Sequence, residues 1–273
     1  MAEIDSCRHN ILYLSHGGGP LPLLGDKGHR EMVSTLQEIA GALKKPSAVI
    51  VISAHWEASV PTIMHGDAPE LLYDYSGFPY EAYEITYPAP GAPALAEAIY
   101  RQLKANGIEA RLDDARGFDH GLFVPLKIMY PDADILCVQL SLVKGLNPAA
   151  HMAIGRTLAS LPFENLLIVG SGFAFHNMQA FFSPAEERDR KNTAFQKWLV
   201  KTCSDPGIIG SERTERLQNW EHAPFARYCH PREEHLLPLH VCYGVAGRAC
   251  DRVFSPEILG VTSSMFLWNA KKA

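Results

Sequence analysis

The sequence predicts an α/β fold: a single domain with a central, largely parallel sheet flanked by helices and a metal or acid–base site at the carboxyl ends of the strands. Three observations predict it. Short apolar runs of strand length alternate almost throughout with helix-length segments. Three of those runs lead into a histidine: Ile11-Leu12-Tyr13-Leu14-Ser15 into His16, Val49-Ile50-Val51-Ile52-Ser53-Ala54 into His55, and Leu166-Leu167-Ile168-Val169-Gly170, after a short loop, into His176. The 273 residues contain no internal repeat, low-complexity tract or clear linker, so residues 1–273 are expected to form one domain. In an open parallel sheet the carboxyl ends of the strands line one edge, and ligands bind in the crevice beyond it. Histidines far apart in the chain can therefore meet there.

Each element has its own signal. The first strand ends in a turn, His16-Gly17-Gly18-Gly19-Pro20-Leu21-Pro22, and a helix is expected from Gly28 to Lys44 before the second strand. Val60 to His65 reads as a further strand. Asp67 to Pro90, rich in Tyr, Pro and Gly, reads as a long loop over the site, of the kind that often acts as a lid. A helix over Pro93 to Asn106 is stopped by Asn106-Gly107, and a short strand follows from Ile108 to Leu112. Gly117-Phe118-Asp119-His120-Gly121 opens another helix, and Asp134 to Leu142 is a strong strand. Asn147 caps a helix running to Leu161, with Pro148 at its first position. Residues 184–220 look helical and polar, 232–247 look like an amphipathic helix carrying Glu233, Glu234 and His235, and Val261 to Trp268 closes the chain as a strand.

Composition narrows the function classes. With 47% hydrophobic and 20% charged residues the chain has the balance of a soluble globular protein. A net charge of −5 and the absence of any Lys/Arg block argue against a nucleic-acid partner. No run approaches the roughly 18–20 apolar residues that span a bilayer, and Met1 to His9 has no apolar signal region, so a cytoplasmic protein without a membrane partner is expected. Cys7, Cys137, Cys203, Cys229, Cys242 and Cys250 form no C-x-x-C pair and read as buried free thiols of a reducing compartment.

The chemistry rests on histidine, the commonest metal ligand and proton shuttle at neutral pH. His16 precedes three glycines, which let the backbone pass close to a ligand. Their spacing matches neither nucleotide-binding glycine pattern. His55 has Trp56 beside it, an aromatic neighbour able to exclude solvent. Either a carboxylate of Glu233 or Glu234, or the imidazole of His235, would complete a metal site begun by His16 and His55. Two histidines with one carboxylate suit a non-haem Fe(II) oxygenase, and three histidines also suit catalytic zinc. The plainer account of the glutamates is charge complementing a helix N-terminus. His120 and His176 fit the pocket without completing the ligand set, while His9, His29, His65, His151, His222 and His240 read as surface or structural residues. No G-x-S-x-G elbow is present.

Together, Leu14-Ser15-His16-Gly17-Gly18-Gly19-Pro20, Ile52-Ser53-Ala54-His55-Trp56-Glu57, Phe118-Asp119-His120-Gly121, Gly170-Ser171-Gly172 through His176-Asn177, and Glu234-His235-Leu236-Leu237-Pro238-Leu239 resemble the DOPA-dioxygenase branch of the class III extradiol ring-cleaving dioxygenases. The motifs span nearly the whole chain in the family's order. The resemblance implies His16, His55 and His235 as metal ligands, His176 as the acid–base histidine, and His120 as a histidine that supports the ligands or touches substrate. It also implies Fe(II), with Zn(II) as an alternative ion in the isolated or crystallised protein, O2 and a small aromatic diol as substrates, and a monomer or homodimer. Two rival functions carry into the structure: a zinc-dependent hydrolase on the same three ligands, and a non-enzymatic interaction protein on this scaffold.

Overall fold

A computed structural model of the chain describes residues 8–182 and 185–270. Its elements run β1 (Asn10–Ser15), α1 (Arg30–Ala42), β2 (Ala48–Ala58), β3 (Thr62–Met64), α2 (Pro93–Ala105), β4 (Arg111–Asp113), α3 (His120–Met129), β5 (Leu136–Val143), α4 (Pro148–Leu158) and β6 (Leu166–Gly172). They continue with α5 (Ala185–Ser204), α6 (Gly210–Gln218), α7 (Ala226–Cys229), α8 (Leu237–Ala246), β7 (Arg252–Phe254), β8 (Glu257–Ile258), β9 (Val261–Thr262) and β10 (Met265–Trp268). Eight strands form one sheet in the order β4-β3-β5-β2-β6-β1-β10-β7. Its centre, β5-β2-β6-β1, is parallel, while β10 runs antiparallel to β1 and β3 antiparallel to β5. The central strands are apolar on both faces because helices cover both, as expected of a parallel sheet.

This order places the three strands that lead into His16, His55 and His176 side by side, with β6 between β1 and β2. Ser15 pairs with Gly172 and Ser53 with Ser171, so their carboxyl ends are level. β2 does not stop before His55. It pairs with β5 up to Ser53–Ser141 and resumes at Glu57–Leu142, so Ala54, His55 and Trp56 form a bulge. Bulges of this kind re-aim side chains beside active sites.

Several boundaries differ from the sequence reading. The strand expected at Ile108 begins at Arg111, because Ile108 N–H donates to Leu103 O and Gly107, at φ 74°, closes the end of α2. Asn147 caps α4 as expected, its side chain accepting from the Ala150 N–H at 2.9 Å. The amphipathic helix expected over 232–247 is instead α8, starting at Leu237 and buried along its whole length. Pro238 suits a first helical turn, and α8 lies between α4 and the sheet, so it has no solvent face to show a helical period. Glu233, Glu234 and His235 lie in the turn before it. The 67–90 loop is tied to the fold by bridges at Leu71–Phe118 and Gly91–Cys137 and contains one 3-10 turn, Tyr80–Tyr83. Five cysteines are free and buried, as expected, and Cys7 lies outside the described residues. Among the described residues no helix is long and apolar enough to cross a membrane.

Candidate metal centre

The sheet edge gathers five histidines. Ring centroids of His16, His55 and His235 form a nearly equilateral triangle: 4.8 Å from His16 to His55, 5.2 Å from His16 to His235 and 4.9 Å from His55 to His235. His120 stands 3.9 Å from His55, and His176 stacks on His235 at 3.4 Å. By donor atoms alone, two groups each fall within 4.8 Å: His16, His55 and His120, and His176, Glu234 and His235. The triad expected from sequence draws on both groups.

Local structure explains each placement. His16 follows β1 directly, its N–H donating to Gly172 O at 3.0 Å. Gly17, at φ 83°, turns the chain away, and a Cβ there would collide with His29 and Pro22. His29 then pins the glycine run: its Nε2 accepts from Gly18 N–H at 3.0 Å while its Nδ1 meets Asp26 at 2.7 Å. His235 reaches the site because Gly172 has no side chain. A Cβ there would run into the carbonyl oxygen of His235 itself.

Hydrogen bonds fix which nitrogen faces the centre. Ser171 Oγ has one proton, which goes to the Gly121 carbonyl, so towards His16 Nδ1, 3.0 Å away, Ser171 accepts. His16 therefore carries its proton on Nδ1 and leaves Nε2 unprotonated. His235 Nδ1 donates in the same way to Glu234 Oε1 at 2.9 Å, and His120 Nδ1 to Asp74 Oδ1 at 2.7 Å. His55 Nδ1 faces Asp74 Oδ2 at 3.5 Å. The Nε2 atoms of His16 and His55 face one another at 3.0 Å. With protons drawn to the Nδ1 side, these are two lone pairs turned together, which is the donor arrangement a cation stabilises. The donors fit a divalent metal, and carboxylate–histidine pairs behind them are the usual support of such ligands.

Burial and charge favour neutral imidazoles. Burial, then the neighbouring imidazoles, holds His16 and His235 well below the ordinary histidine pKa. His55 is depressed to about 3 by burial and by His120, with Asp74 opposing. Burial pushes the carboxyls of Asp74 and Glu234 up, but hydrogen bonds from His120 and His176 respectively outweigh it, and both lie below the ordinary range. Beneath the bulge, buried Asp119 accepts from Ser53 Oγ at 2.8 Å, from Arg116 Nη2 at 3.0 Å and from Gln139. Arg116 also reaches His55 O at 3.4 Å and lies over the Trp56 ring. Trp56 thus braces the bulge and does not wall the pocket as its position beside His55 suggested.

The pocket, about 310 Å³, opens over these histidines. Its walls include Tyr75 and Phe78 from the 67–90 loop, together with Phe173, Phe181, Met178 and Leu259. Sequence reasoning missed Ser171 and Asp74, whose partners lie 155 and 46 residues away, while His29 is the structural histidine it was expected to be.

An α/β sheet with histidines converging beyond its parallel strands suggests a metal site of an enzyme, and the comparisons give the chain a family. The family described as the catalytic LigB subunit of aromatic ring-opening dioxygenase matches residues 11–270. The chain belongs to this family and is an extradiol ring-cleaving dioxygenase, an oxidoreductase. It is 38% identical to the dioxygenase tasH of Hapsidospora irregularis, covering 94% of this chain and 85% of that protein. It is 37% identical to the 4,5-DOPA dioxygenase extradiol of Beta vulgaris, covering 90% of each. Among solved structures, the uncharacterized protein JW3007 of Escherichia coli K12 superposes with a TM-score of 0.73 at 28% identity, covering 95% of this chain and 99% of that one. The interaction-protein rival falls with this assignment.

Proposed function

We propose that the chain forms one catalytic domain that binds Fe(II) through His16, His55 and His235 and cleaves a catechol ring with O2. The observation that carries the proposal is the near-equilateral triangle of these imidazoles, two of them with Nδ1 committed to donating. When bound, a redox-active metal would hold both substrates and pass electron density from the diol to dioxygen. Both oxygen atoms enter the ring-opened product, so no external reductant is required. The chain's own residues do the rest. Tyr75, Phe78 and Phe181 wall the ring and limit water. His176 Nδ1 is held 3.1 Å from Glu234 Oε1, leaving Nε2 to take a proton from the diol and return it as the ring opens. His120, fixed by Asp74, lines the same cavity as a substrate contact. Reduced, buried thiols support a cytoplasmic setting.

Chelator-stripped protein should be inactive with catechols, Fe(II) should restore O2 uptake, and Zn(II) should not. Full activity with zinc and no oxygen consumption would replace this reading with the zinc hydrolase.

A further inference from the structure

We propose that Asp119 is a positioning residue of this active site, its two carboxylate oxygens holding the backbone of the β2 bulge on either side of His55 and so aiming that imidazole at the metal; this rests on the reading of His55 as a ligand. The sheet register steps from Ser53 to Glu57, so the bulge at Ala54–Trp56 has no register partner on β5. Both backbone groups of His55 are taken up by one network instead. Its N–H donates to Ser53 Oγ at 3.2 Å, and that hydroxyl spends its proton on Asp119 Oδ1 at 2.8 Å. Its carbonyl accepts from Arg116 Nη2 at 3.4 Å, and the same nitrogen donates to Asp119 Oδ2 at 3.0 Å. The N–H and the carbonyl of His55 are thus each one link from the same carboxylate.

The network leaves Asp119 little freedom. Its side chain is fully buried, Gln139 Nε2 also donates to Oδ2, and the Asp119 N–H donates to Gln139 Oε1 at 3.3 Å. A Cβ at Gly121 would lie 2.5 Å from Ser53 Oγ and 3.0 Å from Asp119 Oδ1, so α3 meets the bulge with no room for a side chain there. A buried carboxylate is costly, and apolar packing would brace a strand at least as well. What the carboxylate adds is direction: three donors converge on its two oxygens and fix the backbone that carries His55. Gly121 O also accepts from Ser171, which orients His16, so the first turn of α3 serves two of the proposed ligands.

Co(II) titration of the metal-free protein tests this without turnover, because affinity and the visible d–d spectrum both report ligand geometry. Asp119→Asn offers one acceptor in place of two, and Arg116→Met removes one arm at a partly exposed position where loss of folding is not expected. Each should weaken Co(II) binding by about 10- to 100-fold and shift the spectrum. Leu126→Ala, a core truncation further along α3, should lower the melting temperature yet leave affinity within about twofold and the spectrum unchanged. Unaltered affinity and spectrum in either folded variant would overturn the proposal. Equal weakening in Leu126→Ala would overturn it too, by making the effect general destabilisation. If Asp119→Asn does not fold, Arg116→Met decides alone. Unweakened Co(II) binding by His55→Ala would instead remove the ligand reading on which the proposal stands.

Discussion

His176 and His235 stack face to face, with centroids 3.4 Å apart and planes within 16° of parallel, and the Nδ1 atoms of both meet the same oxygen, Glu234 Oε1. A proposed ligand and the proposed proton carrier therefore share one carboxylate. Glu234 thus orients both rings, and a change at this one carboxylate reaches the ligand and the proton carrier together.

Glu234→Gln should accordingly keep stoichiometric metal, since His235 retains an acceptor for its Nδ1–H. Turnover should fall by roughly 10- to 100-fold, the usual cost of weakening the support behind a ligand. Metal content and kcat measured on one preparation decide the matter. An emptied site would make Glu234 itself a ligand and His235 its neighbour.

Ser171 holds the tautomer of His16, so Ser171→Ala should weaken metal affinity by about 10- to 100-fold with little change in fold. The hydroxyl is buried, and its loss also leaves Gly121 O without that donor. Metal titration beside a melting curve separates the two effects. Unchanged affinity would mean that Ser171 does not set the His16 proton.

His16→Ala, His55→Ala and His235→Ala should each lose most bound metal, because three ligands leave no redundancy. His176→Phe should keep it and still bind catechol, while turnover falls by roughly two to four orders of magnitude with the proton carrier gone. Iron content and kcat of the four variants, measured together, test the division of labour. Loss of iron from His176→Phe would make it a fourth ligand, and near-normal turnover would remove it from the chemistry.

Strand-then-histidine was legible at His16 because a buried parallel strand is a continuous apolar run and its carboxyl end is where sites form. The bulge at Ala54–Trp56 was not legible, since it depends on the register against β5. Periodicity also failed for α8: a helix enclosed on every side shows no amphipathic stripe, so His235 was placed on a helix when it stands in the turn before one. Ser171 shows the limit most plainly: His16 lies 155 residues away, so the contact that sets the His16 proton exists only once β1 and β6 have paired.

Two further buried histidines, outside the proposed ligand set, predict how the metal-free protein responds to acid. His230 and His240 are fully buried, each with Nε2 on a backbone carbonyl, Ala174 O at 3.0 Å and Leu217 O at 2.8 Å. Burial depresses them to about 3 and about 4, against the raising effect of those carbonyls. In the unfolded chain each takes a proton near its ordinary value of about 6.5, while the folded protein does not until far lower pH. Their stabilising contribution is therefore complete above about pH 6.5 and is lost as pH falls from there towards 4, by about 1.4 kcal/mol per pH unit for each group. Urea midpoints of metal-free protein between about pH 7.5 and 5 should fall with acid. His240→Gln, which keeps a donor for Leu217 O, should be less stable at neutral pH but show a slope shallower by about one proton. A midpoint independent of pH, or an unchanged slope in the variant, would mean that these imidazoles are charged in the folded protein.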